Sequence, residues 1–274
     1  MKDNARLRLV VSLLFILAFA VVGRTTAAET PATLRVLCYN IHYGQGMDGR
    51  YDVARLAAVI NQYKPDLVAL QEIDVGVTRS GRVHQIRRLG ELTGMASRYG
   101  PTQHYQGGLY GNGVLSRLPI LDVAIHPLPY TEATKTKVTY PRGCIAVTVR
   151  GPDGKPLRFI STHFQHNLPE DRLAEAKRIN ELFPGDDGSM PTILAGDMNA
   201  TPDSEPMKEL HKVWTNAMNT PPQPTAPSRN PRSRIDYILF QPKSGIRVLE
   251  TKVVPEEMAS DHRPVFAVFE LEAR

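Results

Sequence analysis

An apolar run at Ile193-Leu194-Ala195 ends abruptly in Gly196-Asp197-Met198-Asn199, and the same pattern recurs along the chain. Tyr39-Asn40-Ile41-His42, Gln71-Glu72 and Ser161-Thr162-His163 each close an apolar run with polar or ionisable residues. Ile235-Asp236 opens a later run, and Ser260-Asp261-His262 lies just before the last. Burying one such charge costs several kcal/mol unless it is paired or binds a metal. Their repetition at the ends of buried runs therefore points to one shared site. Carboxylates, carboxamides and imidazoles together can hold a hard cation, activate water and carry protons. A strand is a rigid mount for them, because groups at its tip have little entropy left to lose.

Hydrophobic period supplies the elements that carry these groups. It predicts strands over Leu34–Asn40, Leu67–Glu72, Gly113–Ser116, Ile120–Ile125, Cys144–Val149, Leu157–Thr162, Thr192–Ala195, Ile235–Phe240, Ile246–Val254 and Pro264–Leu271. Asp52 caps a helix with Val53, Leu56, Ala57 and Ile60 on one face, stopped at Lys64-Pro65-Asp66. Further helices are expected over Val83–Leu92, with Val83, Ile86, Leu89 and Leu92 as the stripe, and over Pro169–Phe183, with Leu173, Ala176, Ile179 and Phe183 inward. A short helix spans Ser204–Trp214. Pro152-Asp153-Gly154 reads as a hairpin turn, and Thr220–Pro231 as a surface loop. Interspersed helices and antiparallel-looking strands imply a layered α/β sandwich.

The 274 residues suit one domain with a full core. Residues 1–28 read as a secretory signal peptide: Lys2, Arg6 and Arg8 precede a short apolar run, and Thr26-Ala27-Ala28 offers small residues for cleavage. An uncleaved N-terminal anchor is the alternative, and residues 29–274 form the catalytic domain. Export to the periplasm or beyond follows from that reading. Four basic residues against Asp3 in the leader account for +3 of the net +5, which leaves the remainder near +2. That balance does not favour nucleic acid, although it leaves it possible. Cys38 and Cys144 lie in strand-like runs and read as buried thiols without the spacing of a zinc site.

In order along the chain, Asn40 in YNIH, Glu72 in QEID, His163 in STH, Asp197 and Asn199 in GDMN, Asp236 in RIDYI and Asp261-His262 in SDH resemble the motifs of the endonuclease/exonuclease/phosphatase, or deoxyribonuclease I-like, superfamily. Tyr110-Gly111-Asn112, Leu115-Ser116-Arg117-Leu118-Pro119 and Pro141-Arg142-Gly143 are similar to its small bacterial members. The resemblance spans about Leu34 to Leu271. It implies a four-layer sandwich of two mostly antiparallel β-sheets flanked by helices. It also implies a metal-dependent phosphoric ester hydrolase that uses Mg²⁺ or Mn²⁺ and in-line attack by water. Under it, Asn40, Glu72 and Asp261 hold the metal, and Asp197 orients or deprotonates the water. Asn199 contacts a phosphoryl oxygen and the water, while His262, oriented by Asp236, contacts the phosphate. His163 is a phosphate ligand or a general acid, and Arg142 and Asn112 face the substrate phosphate.

Other polar residues have plainer expectations. His42 sits by the metal or packs. His84, His104 and His166 lie on the surface or in loops, Arg79 and Arg82 are solvated loop charges, and Trp214 is core. The expected substrate is a small phosphodiester or phosphomonoester, and the protein a monomer. A secreted nuclease of the same fold is the alternative, and a catalytically idle anion-binding module a further one. Against the idle module stands the full set of eight motif residues.

Overall fold

In β1 (Ala32–Asn40), Val36 and Cys38 alternate with Leu37 and Tyr39, and all four are buried, so this strand is covered on both faces. The computed structural model describes residues 32–185, 190–218, 223–242 and 244–271. The leader at 1–28 and positions 220–222 of the loop expected over Thr220–Pro231 lie outside the described residues.

After β1 the chain runs through α1 (Val53–Tyr63), β2 (Leu67–Val75), α2 (Gln85–Thr93), β3 (Ala96–Tyr105), β4 (Gly108–Ser116), β5 (Ile120–Pro127), β6 (Gly143–Arg150) and β7 (Pro156–His163). It continues through α3 (Pro169–Leu182), β8 (Thr192–Asp197), α4 (Glu205–Leu210), β9 (Thr215–Asn216), β10 (Asp236–Gln241), β11 (Ile246–Val253) and β12 (Val265–Leu271). Two six-stranded sheets result, ordered β11-β12-β1-β2-β4-β3 and β5-β6-β7-β8-β10-β9. Among the described strands only the β1–β2 and β7–β8 pairs are parallel. The inner faces meet in a core that includes Val36, Cys38, Val114, Ile145, Phe159 and Ile193. The outer face of the first sheet packs on α1 and α2 through Leu37, Leu56, Ile60, Ile86 and Leu89. That of the second packs on α3 and α4 through Ile160, Ile179, Leu194, Met207 and Leu210. The four-layer expectation is met.

Local chemistry sets the element ends. Asp52 accepts the Arg55 N–H at 2.9 Å and caps α1, while Gly94 closes α2 in the left-handed region. The α2 helix starts two residues later than expected, with His84 as its cap, and Val83 is left exposed. Leu173 is half-buried, whereas Ala176 and Ile179 are fully buried. Trp214 is core, and its indole donates to Asn180 Oδ1 at 3.0 Å.

The sequence reading missed β3. Its Gly100-Pro101 pair looks like a break, but β3 is an edge strand whose register with β4 shifts at Pro101, where a proline is tolerated. The 220–231 stretch is not merely surface: Thr225 and Ser228 are fully buried, and Thr225 Oγ1 accepts the backbone N–H groups of Ile235 and Asp236 at 3.2 and 3.3 Å. Both cysteines are buried free thiols. Cys38 lies between the sheets and Cys144 under α3, on different faces of the second sheet. No helix among the described residues is long and apolar enough to cross a membrane.

Candidate active site

Register brings the strand-end residues together. In the second sheet His163 of β7 pairs with Asp197 of β8, and Asp236 of β10 pairs with Asp197 from the other side, giving one row of three ionisable groups. Gly196 permits this close approach, since a Cβ there would collide with the Thr162 carbonyl. In the first sheet Asn40 ends β1 beside Gln71 of β2. The segment before β12 folds over that end, where Ser260 Oγ donates to the Asn40 carbonyl at 2.7 Å. A polar contact beneath the site also joins the sheets: Gln71 Nε2 donates to Ser161 Oγ at 3.1 Å.

Asn40 is the tie across the sheets. Its Nδ2 donates to Glu72 Oε1 at 3.1 Å and to Asp197 Oδ2 at 3.0 Å. Its Oδ1 accepts the His42 backbone N–H at 3.0 Å. A backbone N–H can only donate, so this contact fixes which way the amide points. Asn40 therefore offers hydrogens to the two carboxylates, not the oxygen ligand for a metal that the resemblance implies.

Glu72 is not at a strand tip, as expected, but inside β2, at a bulge between Leu70 and Ile73, with φ +61. Bulges re-aim side chains, and a non-glycine residue held at positive φ stores strain typical of functional positions. The bulge turns the half-buried Glu72 into the cleft. Among the described residues no cationic side chain pairs with it. The Tyr43 hydroxyl is raised by burial and also feels the carboxylates of Glu72 and Asp261, so both lie near it. The Asp261 side chain is 38% exposed, and His42 Nε2 lies 3.8 Å from its Oδ2. Glu72, a hard oxygen donor on the cleft wall without a counter-cation, fits one ligand of a divalent ion, and the partly exposed Asp261 beside His42 is the second carboxylate that could complete it.

Asp197 is buried. Its Oδ1 accepts the Asn199 N–H at 2.9 Å, and Asn199 holds this geometry at φ +47. Burial and the neighbouring Asp236 push the Asp197 carboxyl up to about 7. Asp236 Oδ2 binds His262 Nδ1 at 2.9 Å, and its buried Oδ1 has no partner among the described residues. Burial opposes charge on His262, but Asp236, Asp197 and Asp261 outweigh it and raise the ring well above its ordinary pKa. His262 Nε2 lies 3.8 Å from Asp197 Oδ2. Donor atoms of Asp197, Asp236 and His262 all fall within 4.8 Å of one another, a spacing that could hold an ion. The Nδ1–H bond to Asp236 instead makes them a proton-carrying cluster.

His163 has the opposite charge preference. Burial, Arg142 and His262 hold it well below the usual histidine range. Arg142 Nη1 donates to its Nδ1 at 3.2 Å, which leaves the ring proton on Nε2, 3.5 Å from Asp197 Oδ2. Asn199 Nδ2 donates to the Phe164 carbonyl at 3.0 Å and lies 3.1 Å from the same ring nitrogen.

A cleft of about 320 Å³ opens over these groups and includes Glu72, Arg142, His163, Asp197, Asn199 and His262 among its lining residues. Asn112 is not among them. It is buried between β4 and β6, where its Nδ2 donates to the Gly143 carbonyl at 2.9 Å, so it braces the strand after Arg142 and does not meet a phosphate. Arg79, expected as solvated charge, lines the cleft, whereas Arg82 is exposed. His104 is exposed on β3, while the exposed His166 stacks on Tyr140 at the cleft wall. Gln71 and Ser161 went unnoticed as a pair, although a glutamine beside Glu72 inside an apolar run was a usable signal.

The model of the endonuclease/exonuclease/phosphatase family matches residues 37–262. The chain is similar in structure to an endonuclease/exonuclease/phosphatase from Beutenbergia cavernae, with 25% identity and a TM-score of 0.71 over 88% of this chain and 72% of that one. It also resembles a mannosyl-6-phosphatase of Bacteroides thetaiotaomicron, with 19% identity and a TM-score of 0.69 over 86% and 99% of the two chains. A third likeness is the human Nocturnin catalytic domain with a bound sulfate anion, with 19% identity and a TM-score of 0.65 over 87% and 94%.

Proposed function

Because the chain belongs to the endonuclease/exonuclease/phosphatase family, whose members are hydrolases acting on phosphoester bonds, we propose that it hydrolyses a small phosphodiester or phosphomonoester by in-line attack of water, with Mg²⁺ or Mn²⁺ as cofactor. The observation that carries this reading is the Asn40 amide, which bridges Glu72, a hard oxygen donor, and Asp197, a base poised near neutrality.

Asp197 takes the proton of the attacking water, since a carboxyl at about 7 is matched to that task at neutral pH. Asn199 orients the same water and donates to a phosphoryl oxygen. Arg142 offers its remaining guanidinium hydrogens to the phosphate. The charge states divide the histidines. His262, held protonated by Asp236, gives the proton to the leaving oxygen, while neutral His163 donates a hydrogen bond from Nε2 and cannot release a second proton. Glu72 and Asp261 would hold the divalent ion, which neutralises charge building on the phosphate when bound.

Turnover of bis-p-nitrophenyl phosphate with Mg²⁺ or Mn²⁺, abolished by a chelator, is the direct test; folded, metal-loaded protein that turns over neither this diester nor a p-nitrophenyl monoester would end the reading. Its pH profile is a second expectation. Asp197 acts unprotonated, so kcat/KM rises about tenfold per pH unit up to about 7. It falls again on the alkaline side, as His262 loses its proton well above the ordinary histidine pKa. A profile flat from acid through neutral pH would remove Asp197 from the role of base. Export through residues 1–28 belongs to the same proposal. Protein recovered from the periplasm of a bacterial host should begin at Glu29, and retention of Met1 would mark an uncleaved anchor instead.

A further inference from the structure

The wall of the cleft that carries Glu72 holds a second guanidinium, which the hydrolytic chemistry above does not use. Arg79 sits in a short 3-10 turn, Thr78–Ser80, in the loop after β2. Its Nε and Nη2 donate to Asp74 Oδ2 and Oδ1 at 2.9 and 3.0 Å, and the Asp74 side chain has no exposed surface. The plane of the guanidinium is held by aromatic rings: its carbon lies 3.6 Å from the Tyr43 centroid, 4.6 Å from Tyr105 and 5.5 Å from Tyr110. The loop itself is pinned to the β3–β4 turn. The Arg79 backbone N–H donates to Gln106 Oε1 at 3.1 Å, and Thr78 Oγ1 to the Gln106 carbonyl at 2.9 Å.

This side chain has given up its freedom before any ligand arrives. Two of its five N–H groups are spent on Asp74, and the other three have no protein acceptor among the described residues. It is 21% exposed and lines the same cleft as Arg142, with Gln103 and Tyr105 beside it and Tyr110 against both guanidinium groups. Asp74 cancels most of its long-range field, so the residue acts at contact range. A preorganised fork of charge-assisted donors binds an anionic oxygen group better than a flexible surface arginine does. Solvated loop charge does not explain a guanidinium clamped by a buried carboxylate and a tyrosine face.

We propose that Arg79 forms a second anion subsite, so that the preferred substrate carries, besides the scissile phosphoester, another anionic oxygen group of the phosphate or carboxylate kind. The identity of the first anion rests on the phosphoesterase reading; the second subsite does not.

Binding of non-hydrolysable ligands separates the two. Calorimetric titration of the full domain with propane-1,3-bisphosphonate and with propylphosphonate gives a ratio of affinities within each variant. Wild type should prefer the bisphosphonate about tenfold or more, as one charge-assisted bidentate contact implies. Arg79→Gln should bring the ratio near one, and Arg79→Lys, which keeps the charge and loses the fork, should keep only part of it. No preference in wild type, or a preference unchanged in either variant, would overturn the subsite. The turnover assay on bis-p-nitrophenyl phosphate, which has no second anion, decides the phosphoesterase reading independently.

Discussion

Asp197→Asn lowers kcat on bis-p-nitrophenyl phosphate by about a thousandfold or more, the scale of a lost general base. The substitution also removes the acid limb of the pH profile near 7, because the group that titrates there is gone. Two structural consequences accompany the kinetic one. Asn40 Nδ2 now donates toward Oδ2 at 3.0 Å, and an amide nitrogen placed there would set donor against donor. Turning the amide over only moves the conflict to the Asn199 N–H that binds Oδ1. Either orientation leaves one buried donor unsatisfied, at a cost of about 1–3 kcal/mol. Relief of repulsion from Asp236 and of the burial penalty on the charge offsets part of this, so the melting temperature should move little. His262 also loses one of the carboxylates that raise its pKa, so the alkaline limb should shift toward lower pH. The profile and the melting curve of one variant check all of this. A variant that kept wild-type kcat and its acid limb would show that another group activates the water.

Why the site could be read from the sequence while its wall could not is a matter of range. Asp197, Asn199, His163 and Asp236 stand at the ends of apolar runs, so a local pattern betrays them, and the β7–β8–β10 register then aligns them without further specification. The Arg79 box is built by residues 43, 74, 105 and 110, drawn from a turn and three strands, and no local pattern announces that convergence. Asn112 misled for the same reason: its partner, the Gly143 carbonyl, is 31 residues away. The bulge at Glu72 was hidden because QEID reads equally well as a strand end or as a strand continuing through an irregularity. The β3 strand owes its existence to pairing with β4 and not to its own composition, so Gly100-Pro101 outweighed it in a single-sequence reading.

Glu72→Gln tests the metal reading most directly. The substitution keeps side-chain length, and an amide oxygen can still accept from Asn40 Nδ2 in place of Oε1, now at 3.1 Å. It therefore leaves the bulge and the Asn40–Asp197 bond intact, and melting should match wild type within about 1 kcal/mol. What it removes is the negative charge of a hard oxygen donor, and divalent ions of this kind depend strongly on carboxylate charge. The concentration of Mg²⁺ or Mn²⁺ giving half-maximal rate should rise about tenfold or more, the effect of losing about 1.4 kcal/mol of ion binding. At limiting metal, turnover should fall by about the same tenfold or more relative to wild type, and that loss should return at high metal. Restoration by added ion is the decisive feature, because a merely structural role for Glu72 would not respond to metal concentration. Wild-type and Glu72→Gln protein with superimposable metal titrations would move the ion away from this carboxylate. Since Asn40 turns its amide hydrogens and not its oxygen toward the site, Asp261 would then be the remaining expected ligand.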